Sequence, residues 1–350
     1  MSSADLDGTP HQAPLVADSA RLLAPVPLGA GAVIAQGTVV RGDPGAIEVG
    51  AGSAVLENSV VIGTTAAPVR IGSRTVFGHR AVVVGATVGD LCEIGNGTVL
   101  LPGARLGDRV FTGEGTVVPA GADIPDEAVV VGRPGRIVRT ATAADLDRLA
   151  ALRGGDLSPA PPGPLTTVGP HPQIAQPGGT MGTLHDYRGT TPTIDPTAVV
   201  LDSAEITGDV MIGARSVIGA GVRIIGDSHG PVRIGADVQI LENAVLHLLP
   251  DNELVLEDGV VVGPAAMVHG CHLGAGTVVE PGAIVCDHAV LGAGSLVRAG
   301  ACVKQHSTFA PGVVVDGFPA VEVDRRPADD SPPSWALPYE AAAALVGRRA

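Results

Sequence analysis

Aliphatic residues recur at every sixth position along most of the chain, and a glycine often follows them. The clearest stretch reads Ile71-Gly-Ser-Arg-Thr-Val, then Phe77-Gly-His-Arg-Ala-Val, and Leu273-Gly-Ala-Gly-Thr-Val repeats it in the second half. The aliphatic residue points inward, the glycine permits a sharp corner, and a small residue fills the remaining interior. Three units make one triangular coil, and stacked coils bury their corners only against their neighbours. The pattern therefore predicts a parallel β-helix.

The repeats fall into two blocks, so the predicted fold class is all-β, with two tandem hexapeptide-repeat solenoids. We assign the N-terminal module to residues 14–153 and the C-terminal module to residues 190–325. Residues 154–189 are rich in Pro and Gly and are predicted to form an extended, semi-rigid linker rather than a folded segment. Residues 326–350 form the tail.

A short α-helix is predicted after each solenoid. In the first, Thr140 or Thr142 can cap a helix that reaches Arg153, because four apolar residues share one of its faces. These residues are Leu146, Leu149, Ala150 and Leu152. In the tail, a shorter helix is predicted from Tyr339 to Gly347.

Composition narrows the classes of partner. The chain has 49 Gly, 29 Pro and 2% aromatic residues, which favours short strands and tight turns over large mixed packing. Its net charge of −14 argues against nucleic acid as a partner. No apolar run approaches the roughly 18 residues of a membrane span, and no secretory signal is visible. The four cysteines lack a CxxC spacing and are expected to be reduced, so a cytoplasmic location is expected.

The two modules correspond to each other at a constant offset of 185 residues, but their histidines do not. His79 of the first module falls on Pro264 of the second. Conversely, His247 and His269 of the second module fall on aliphatic residues of the first. Three neutral imidazoles form a standard catalytic zinc site with a fourth position for water. Each of the three positions has kept its histidine in one module, and neither module has all three. The aliphatic counterparts are Ile62 and Val84.

Several motifs together resemble the γ-class carbonic anhydrase family of left-handed β-helix proteins, and the resemblance covers both modules. A five-residue unit interrupts the period just before Val88, and again before Leu273, which is a further feature of that family. The motifs are Arg41-Gly42-Asp43, Asn58-Ser-Val-Val, Gly78-His79, Asn243-Ala-Val-Leu-His247 and His269-Gly270-Cys271.

The resemblance implies a zinc ion, with iron or cobalt as substitutes, held by His79, His247 and His269. Members of the family form trimers with zinc between adjacent subunits. Two ligands, matching His247 and His269, come from one subunit, and the third, matching His79, comes from its neighbour. A complete site would therefore need an N-terminal module beside a C-terminal one. We expect an intrachain contact through the linker, and a homo-oligomer.

The chain departs from the family at the residues around the metal. The glutamine that would orient a zinc-bound water is Leu56 or Leu241 here, and the arginine of the Arg-Gly-Asp motif is present as Arg41 but is Ile225 in the second copy. The candidate catalytic residues are Arg41, Glu57 and Glu242, the two carboxylates as acceptors beside a ligand or as a general base.

Three classes of function remain open. The first is a zinc-dependent lyase or hydrolase that activates water for hydration, dehydration or hydrolysis of a small carbonyl-type substrate, such as CO2 or a pathway intermediate. The second is an acyl thioester hydrolase or a hexapeptide acyltransferase-like enzyme. The third is a metal-free scaffold. Cys271 is expected to be a buried thiol and His272 is not expected to bind a metal. The other histidines considered, His171, His185, His288 and His306, are expected to be solvated.

Overall fold

The computed structural model describes residues 13–161, 163–171, 181–227, 229–327 and 332–346. Contacts between residues divide the chain into two compact units, Met1–His171 and Pro172–Ala350. Each unit is a parallel β-solenoid with a short α-helix near its C-terminal end, and the predicted all-β, tandem fold is confirmed.

The N-terminal unit contains strands of two to six residues. In chain order they are β1 (Leu15–Val16), β2 (Arg21–Leu22), β3 (Val26–Leu28), β4 (Val33–Ile34), β5 (Val39–Gly42), β6 (Ile47–Val49), β7 (Ala54–Val55), β8 (Val60–Gly63), β9 (Val69–Ile71), β10 (Val76–Phe77), β11 (Val82–Val84), β12 (Thr87–Val88), β13 (Glu93–Ile94), β14 (Val99–Leu100), β15 (Arg105–Leu106), β16 (Phe111–Thr112), β17 (Val117–Val118), β18 (Asp123–Ile124), β19 (Ala128–Gly132), β20 (Gly135–Thr140), helix α1 (Ala143–Leu152) and β21 (Thr166–Val168).

The C-terminal unit repeats this arrangement. Its elements are β22 (Thr183–His185), β23 (Thr193–Ile194), β24 (Val199–Val200), β25 (Glu205–Gly208), β26 (Val210–Ile212), β27 (Val217–Ile218), β28 (Arg223–Gly226), β29 (Val232–Ile234), β30 (Gln239–Ile240), β31 (Val245–Leu246), β32 (Leu254–Leu256), β33 (Val261–Val262), β34 (Met267–Val268), β35 (His272–Leu273), β36 (Val278–Val279), β37 (Ile284–Val285), β38 (Val290–Leu291), β39 (Leu296–Val297), β40 (Cys302–Val303), β41 (Thr308–Phe309), β42 (Val313–Gly317), β43 (Ala320–Arg325) and helix α2 (Tyr339–Leu345).

Every third strand pairs in parallel with the next coil, so each unit has three faces. On the face that contains β10, Phe77 is in register with Val55 on one side and Ile94 on the other, and all three lie in the core. The corners are tight. A Cβ placed on Gly72 would lie 2.5 Å from the backbone carbon of Gly89 in the next coil, which explains why that corner needs a glycine. Antiparallel hairpins, β19–β20 and β42–β43, end the coils.

Helix α1 begins after Thr142, one of the two predicted caps. The Thr142 hydroxyl accepts a hydrogen bond from the backbone N–H of Asp145, and the Asp145 carboxylate accepts one from the N–H of Thr142. This reciprocal pair satisfies two of the amides that a helix start leaves open. Helix α2 follows Pro338, which makes no such bond, and it ends at Leu345. The predicted end at Gly347 lies outside the described residues.

Two parts of the predicted linker are strands, so the prediction of an unfolded segment is wrong for them. Strand β21 pairs antiparallel with β3, and β22 pairs in parallel with β25. An end coil has unpaired backbone groups along its outer edge, and these short segments satisfy them. His171 was expected to be solvated, but its Nδ1 accepts a hydrogen bond of 2.9 Å from the backbone N–H of Leu22.

Candidate metal centre

His79 lies at the corner between β10 and β11, with a carboxylate beside its ring. The Oδ1 atom of Asn96 accepts a hydrogen bond of 2.6 Å from the His79 backbone N–H, which fixes the corner. Nδ1 of His79 lies 2.8 Å from Oε2 of Glu57, and this oxygen is buried with no aligned hydrogen bond among the described residues. One ring nitrogen thus faces a carboxylate, and Nε2 is left for another ligand. That is the usual arrangement of a histidine that binds a metal.

His247 and His269 stack on adjacent coils of the C-terminal unit. Because Leu246 is in register with Val268, the two following residues are also brought side by side. The ring centres are 6.1 Å apart and the rings are nearly perpendicular, at 83°. Two imidazoles on one tetrahedral zinc have centres about 5 Å apart when each Zn–N bond is about 2 Å. The pair is therefore close to the spacing that a shared ion needs.

A buried aspartate that the sequence analysis missed, Asp287, lies behind His269. Its Oδ1 accepts hydrogen bonds from the backbone N–H groups of Leu249 and Gly270, at 2.9 and 3.1 Å, and from the Asn252 amide at 3.3 Å. Its Oδ2 lies 3.3 Å from Nδ1 of His269. This contact leaves Nε2 of His269 directed away from the carboxylate. The available signal was the repeat itself, because β34 and β37 pair at a spacing of 17 residues, which brings Asp287 beside Gly270, the neighbour of His269.

A second missed group lies on the other side of His247. Asp227 and His229 follow β28, and their ligand atoms and one of His247 all lie within 4.8 Å of one another. His229 was absent from the candidate residues because it belongs to no hexapeptide. A cavity of about 320 Å³ adjoins this group, and it is lined by Tyr187, Arg188, Thr190, Asp209, Gly226, Asp227, Gly230 and Pro231.

The same positions in the N-terminal unit carry no imidazole. Arg41, in β5, is buried and stands in register with Ile62, which in turn pairs with Val84. Asp43 is held by Thr65, whose backbone N–H and hydroxyl both donate to Oδ2, at 2.6 and 2.9 Å. Arg41 therefore lies in the same row of paired residues as Ile62 and Val84, which occupy the positions of His247 and His269.

Glu242 and Cys271 are both buried in the C-terminal unit. Glu242 is completely enclosed at the corner that corresponds to Glu57, but Pro264 stands where the partner histidine would be. Cys271 follows the His269-Gly270 motif, and burial raises the pKa of its thiol well above the usual range. The thiol therefore stays protonated at neutral pH, and it is a poor metal ligand in this state.

Several known proteins are similar to this chain in sequence and share its hexapeptide repeat. The family model described as the hexapeptide repeat of succinyl-transferase matches residues 68–102 and 269–299. A carbonic anhydrase of Geobacillus kaustophilus (strain HTA426) is 43% identical over 147 residues, which are 42% of this chain and 80% of that protein. An uncharacterized transferase, YtoA, of Bacillus subtilis (strain 168) is 41% identical over 86 residues, 25% of this chain and 50% of that protein.

Among solved structures, a hexapeptide transferase family protein from Anaplasma phagocytophilum is 28% identical, with a TM-score of 0.41, over 47% of this chain and 94% of that one. The chain spans four-fifths of the anhydrase and half of the length of YtoA. Within the described part of the chain, neither helix is long and apolar enough to cross a membrane.

Proposed function

Because this chain belongs to the γ-class carbonic anhydrase-like family of hexapeptide-repeat proteins, we propose that it is a metal-dependent enzyme with His79, His247 and His269 as the ligands of a zinc ion. The observation that carries the proposal is the pair of His247 and His269 rings on adjacent coils, with a buried carboxylate behind one ring. Imidazole nitrogens in this number are the donor set that zinc prefers in catalytic sites. Iron or cobalt could replace zinc at the same ligands.

Carboxylates would hold two of the three ligand rings in position. Asp287 lies behind Nδ1 of His269, and Glu57 lies behind Nδ1 of His79. A carboxylate that faces Nδ1 favours the tautomer with its proton on that atom, so the Nε2 lone pair is free for the ion. Asp287 is itself fixed by three donors, so the His269 ring has little freedom to turn.

The proposed reaction is hydration, dehydration or hydrolysis at an electrophilic carbon. Zinc held by three neutral imidazoles supplies water activated for such an attack near neutral pH. Glu57 is the carboxylate placed to accept a proton near the ligands, because it is half-buried beside His79. Leu56, half-buried beside it, replaces a polar side chain with an apolar one, which suits a small organic carbonyl compound as well as CO2.

Assembly with further copies of the chain and a cytoplasmic location are parts of this proposal, as is a small-molecule substrate. The transferase among the relatives keeps acyl transfer and thioester hydrolysis as the second candidate. The same assays therefore include an acyl thioester.

The experiment measures the zinc content of the purified full-length chain and of His79→Ala, His247→Ala and His269→Ala. We expect about one zinc per chain, lost with each substitution, because three ligands are the minimum of a catalytic site. His306→Asn is the matched control, since His306 is exposed and its positive φ suits asparagine. CO2 hydration is compared with ester and thioester hydrolysis, and activity should follow zinc. Zinc that survives His79→Ala even when His229→Ala is added, which disables the neighbouring donor group, would refute the third ligand.

A further inference from the structure

We infer that the C-terminal module carries a second divalent-cation site, formed by Asp227, His229 and His247. This site needs neither His79 nor His269, so it does not rest on the proposed function. The two sites share only His247.

The three side chains converge from two adjacent coils. Oδ1 of Asp227 lies 3.1 Å from Nδ1 of His229, and Oδ2 of the same carboxylate lies 3.6 Å from Nε2 of His247. The two rings are 5.5 Å apart between centres, at an angle of 75°. Ligands of one ion lie about 3 to 3.5 Å from each other when each bond is about 2 Å long. Only small side-chain movements would therefore bring all three onto one ion.

The backbone holds the loop in this shape. Oδ1 of Asp227 accepts a hydrogen bond of 2.9 Å from the backbone N–H of His229, and this closes a turn. The preceding Gly226 packs closely, since a Cβ there would lie 2.4 Å from the carbonyl oxygen of Asp209. On the neighbouring coil, the His247 N–H donates to the carbonyl of Val268 at 3.1 Å. These contacts position Asp227, His229 and His247 next to one another without an ion.

One ring nitrogen in this group is buried beside a carboxylate oxygen. Nδ1 of His229 is inaccessible to solvent, and among the described residues it makes no aligned hydrogen bond, although a carboxylate oxygen lies 3.1 Å away. Buried polar atoms are normally satisfied, so an exception calls for an explanation. Because that contact is not aligned, it does not hold a proton on Nδ1, and in the tautomer with the proton on Nε2 the Nδ1 lone pair can bind an ion beside the carboxylate oxygen. A cation between them would satisfy both atoms.

The first module offers an internal comparison. Its loop after Gly42 has one residue fewer, so it has no counterpart of His229 in register, and Ile62 stands in place of His247. Its aspartate, Asp43, is engaged by both donors of Thr65. The aspartate of this motif, Asp43, therefore holds a loop in the first module. In the second module its counterpart, Asp227, is one of three side chains that could bind an ion.

The donor set indicates the class of ion. Two imidazole nitrogens and one carboxylate oxygen suit zinc, nickel, cobalt or copper, whereas magnesium and calcium prefer oxygen ligands alone. Asp227 also lines the cavity of about 320 Å³, which leaves room for the remaining coordination positions. Because Nε2 of His247 can bind one ion at a time, an ion in this site excludes His247 from the other.

The test is a nickel titration of the full-length His79→Ala chain by calorimetry, after removal of bound metal with a chelator. This background removes a proposed zinc ligand and leaves the new site intact. We expect one nickel ion per chain, and affinity at least about tenfold lower after a further His229→Ala or Asp227→Asn. A further His269→Ala or His306→Asn should leave the affinity unchanged.

The outcomes separate the two proposals. Absence of nickel binding by His79→Ala, or nickel affinity unaffected by His229→Ala in a folded chain, would overturn this inference and leave the zinc proposal untouched. Loss of the zinc carried through purification in His79→Ala, together with nickel binding that depends on His229, would support both. Circular dichroism of each variant verifies that its β-solenoid is intact.

Discussion

The two modules build the same coil but carry different side chains at the positions of His247 and His269. In the C-terminal module, His247 and His269 project from adjacent strands, while Ile62 and Val84 occupy the matching positions of the N-terminal module. The strand pairing is unchanged between them. A hexapeptide coil is specified by its inward aliphatic residues and its corners, so the outward positions are free to change. Metal-binding side chains can therefore be present in one module and absent from the other without a change in the fold.

The carboxylates differ in the same way as the histidines. In the N-terminal module Glu57 lies behind His79, whereas its counterpart Glu242 is completely buried with Pro264 at the histidine position. The C-terminal module instead uses Asp287, from a later coil, to orient His269. Each module therefore supports its own ligands from a different strand.

The largest expected effect is the loss of stability when a core side chain is shortened, compared between the two modules. Phe77 is fully buried between Val55 and Ile94, and its counterpart is the smaller Val262. We expect Phe77→Ala to lower the free energy of unfolding by about 3–5 kcal/mol and Val262→Ala by about 2 kcal/mol, because the larger side chain leaves the larger cavity.

Urea unfolding with two probes measures these losses. Circular dichroism follows both modules, while the fluorescence of Trp335, the single tryptophan, follows the C-terminal one, in which it is buried. Phe77→Ala should shift the dichroism and spare the fluorescence. Equal shifts of both probes would show that the two modules unfold together.

An intermediate effect is expected at the supporting carboxylates. Asp287→Asn removes the charge behind His269 and should weaken zinc binding by about 10- to 100-fold, because the preferred tautomer is lost. Glu57→Gln should weaken it less, since the His79 side chain is 54% exposed, whereas three donors fix Asp287 behind His269. Competition with a chromogenic chelator gives both affinities. A larger loss of affinity with Glu57→Gln than with Asp287→Asn would show that the N-terminal module holds the better-oriented ligand.

The smallest expected effect is a dependence of the stability of α1 on pH that α2 does not share. Hydrogen bonds from Arg139 and then from Thr142 hold the pKa of Asp145 well below its usual range. A lowered folded-state pKa means that the carboxylate stabilises α1 fully above the unfolded value of about 3.9, and that this contribution shrinks progressively as the pH falls from that value through the lowered folded-state pKa.

Amide NMR signals of α1 between pH 5 and pH 2.5 would detect the onset of this loss, and Asp145→Asn should remove the dependence. Helix α2, which begins after Pro338 without a side-chain cap, should not respond to that variant. An α1 that titrates identically in both chains would show that Asp145 does not control it.

Sequence periodicity predicted most of the fold but only part of the site. The six-residue repeat identified the inward residues, and the cap of α1 followed from Thr142 and an apolar face. His229 and Asp287 were missed because periodicity says nothing about residues in irregular loops or about which outward side chains meet. Part of the linker was also misjudged, since Pro and Gly content does not reveal that an end coil has an edge to be paired.

The sequence by itself determined the solenoid, its duplication and the division of the three histidines, because these depend on spacing along the chain. Tertiary structure alone decided which groups face those histidines. Asp287 reaches His269 because the next strand pairs 17 residues later and brings Asp287 beside Gly270, and Asp227 reaches His247 from the preceding coil. Such contacts depend on the register between strands and on loop shape, and neither is encoded in a local pattern.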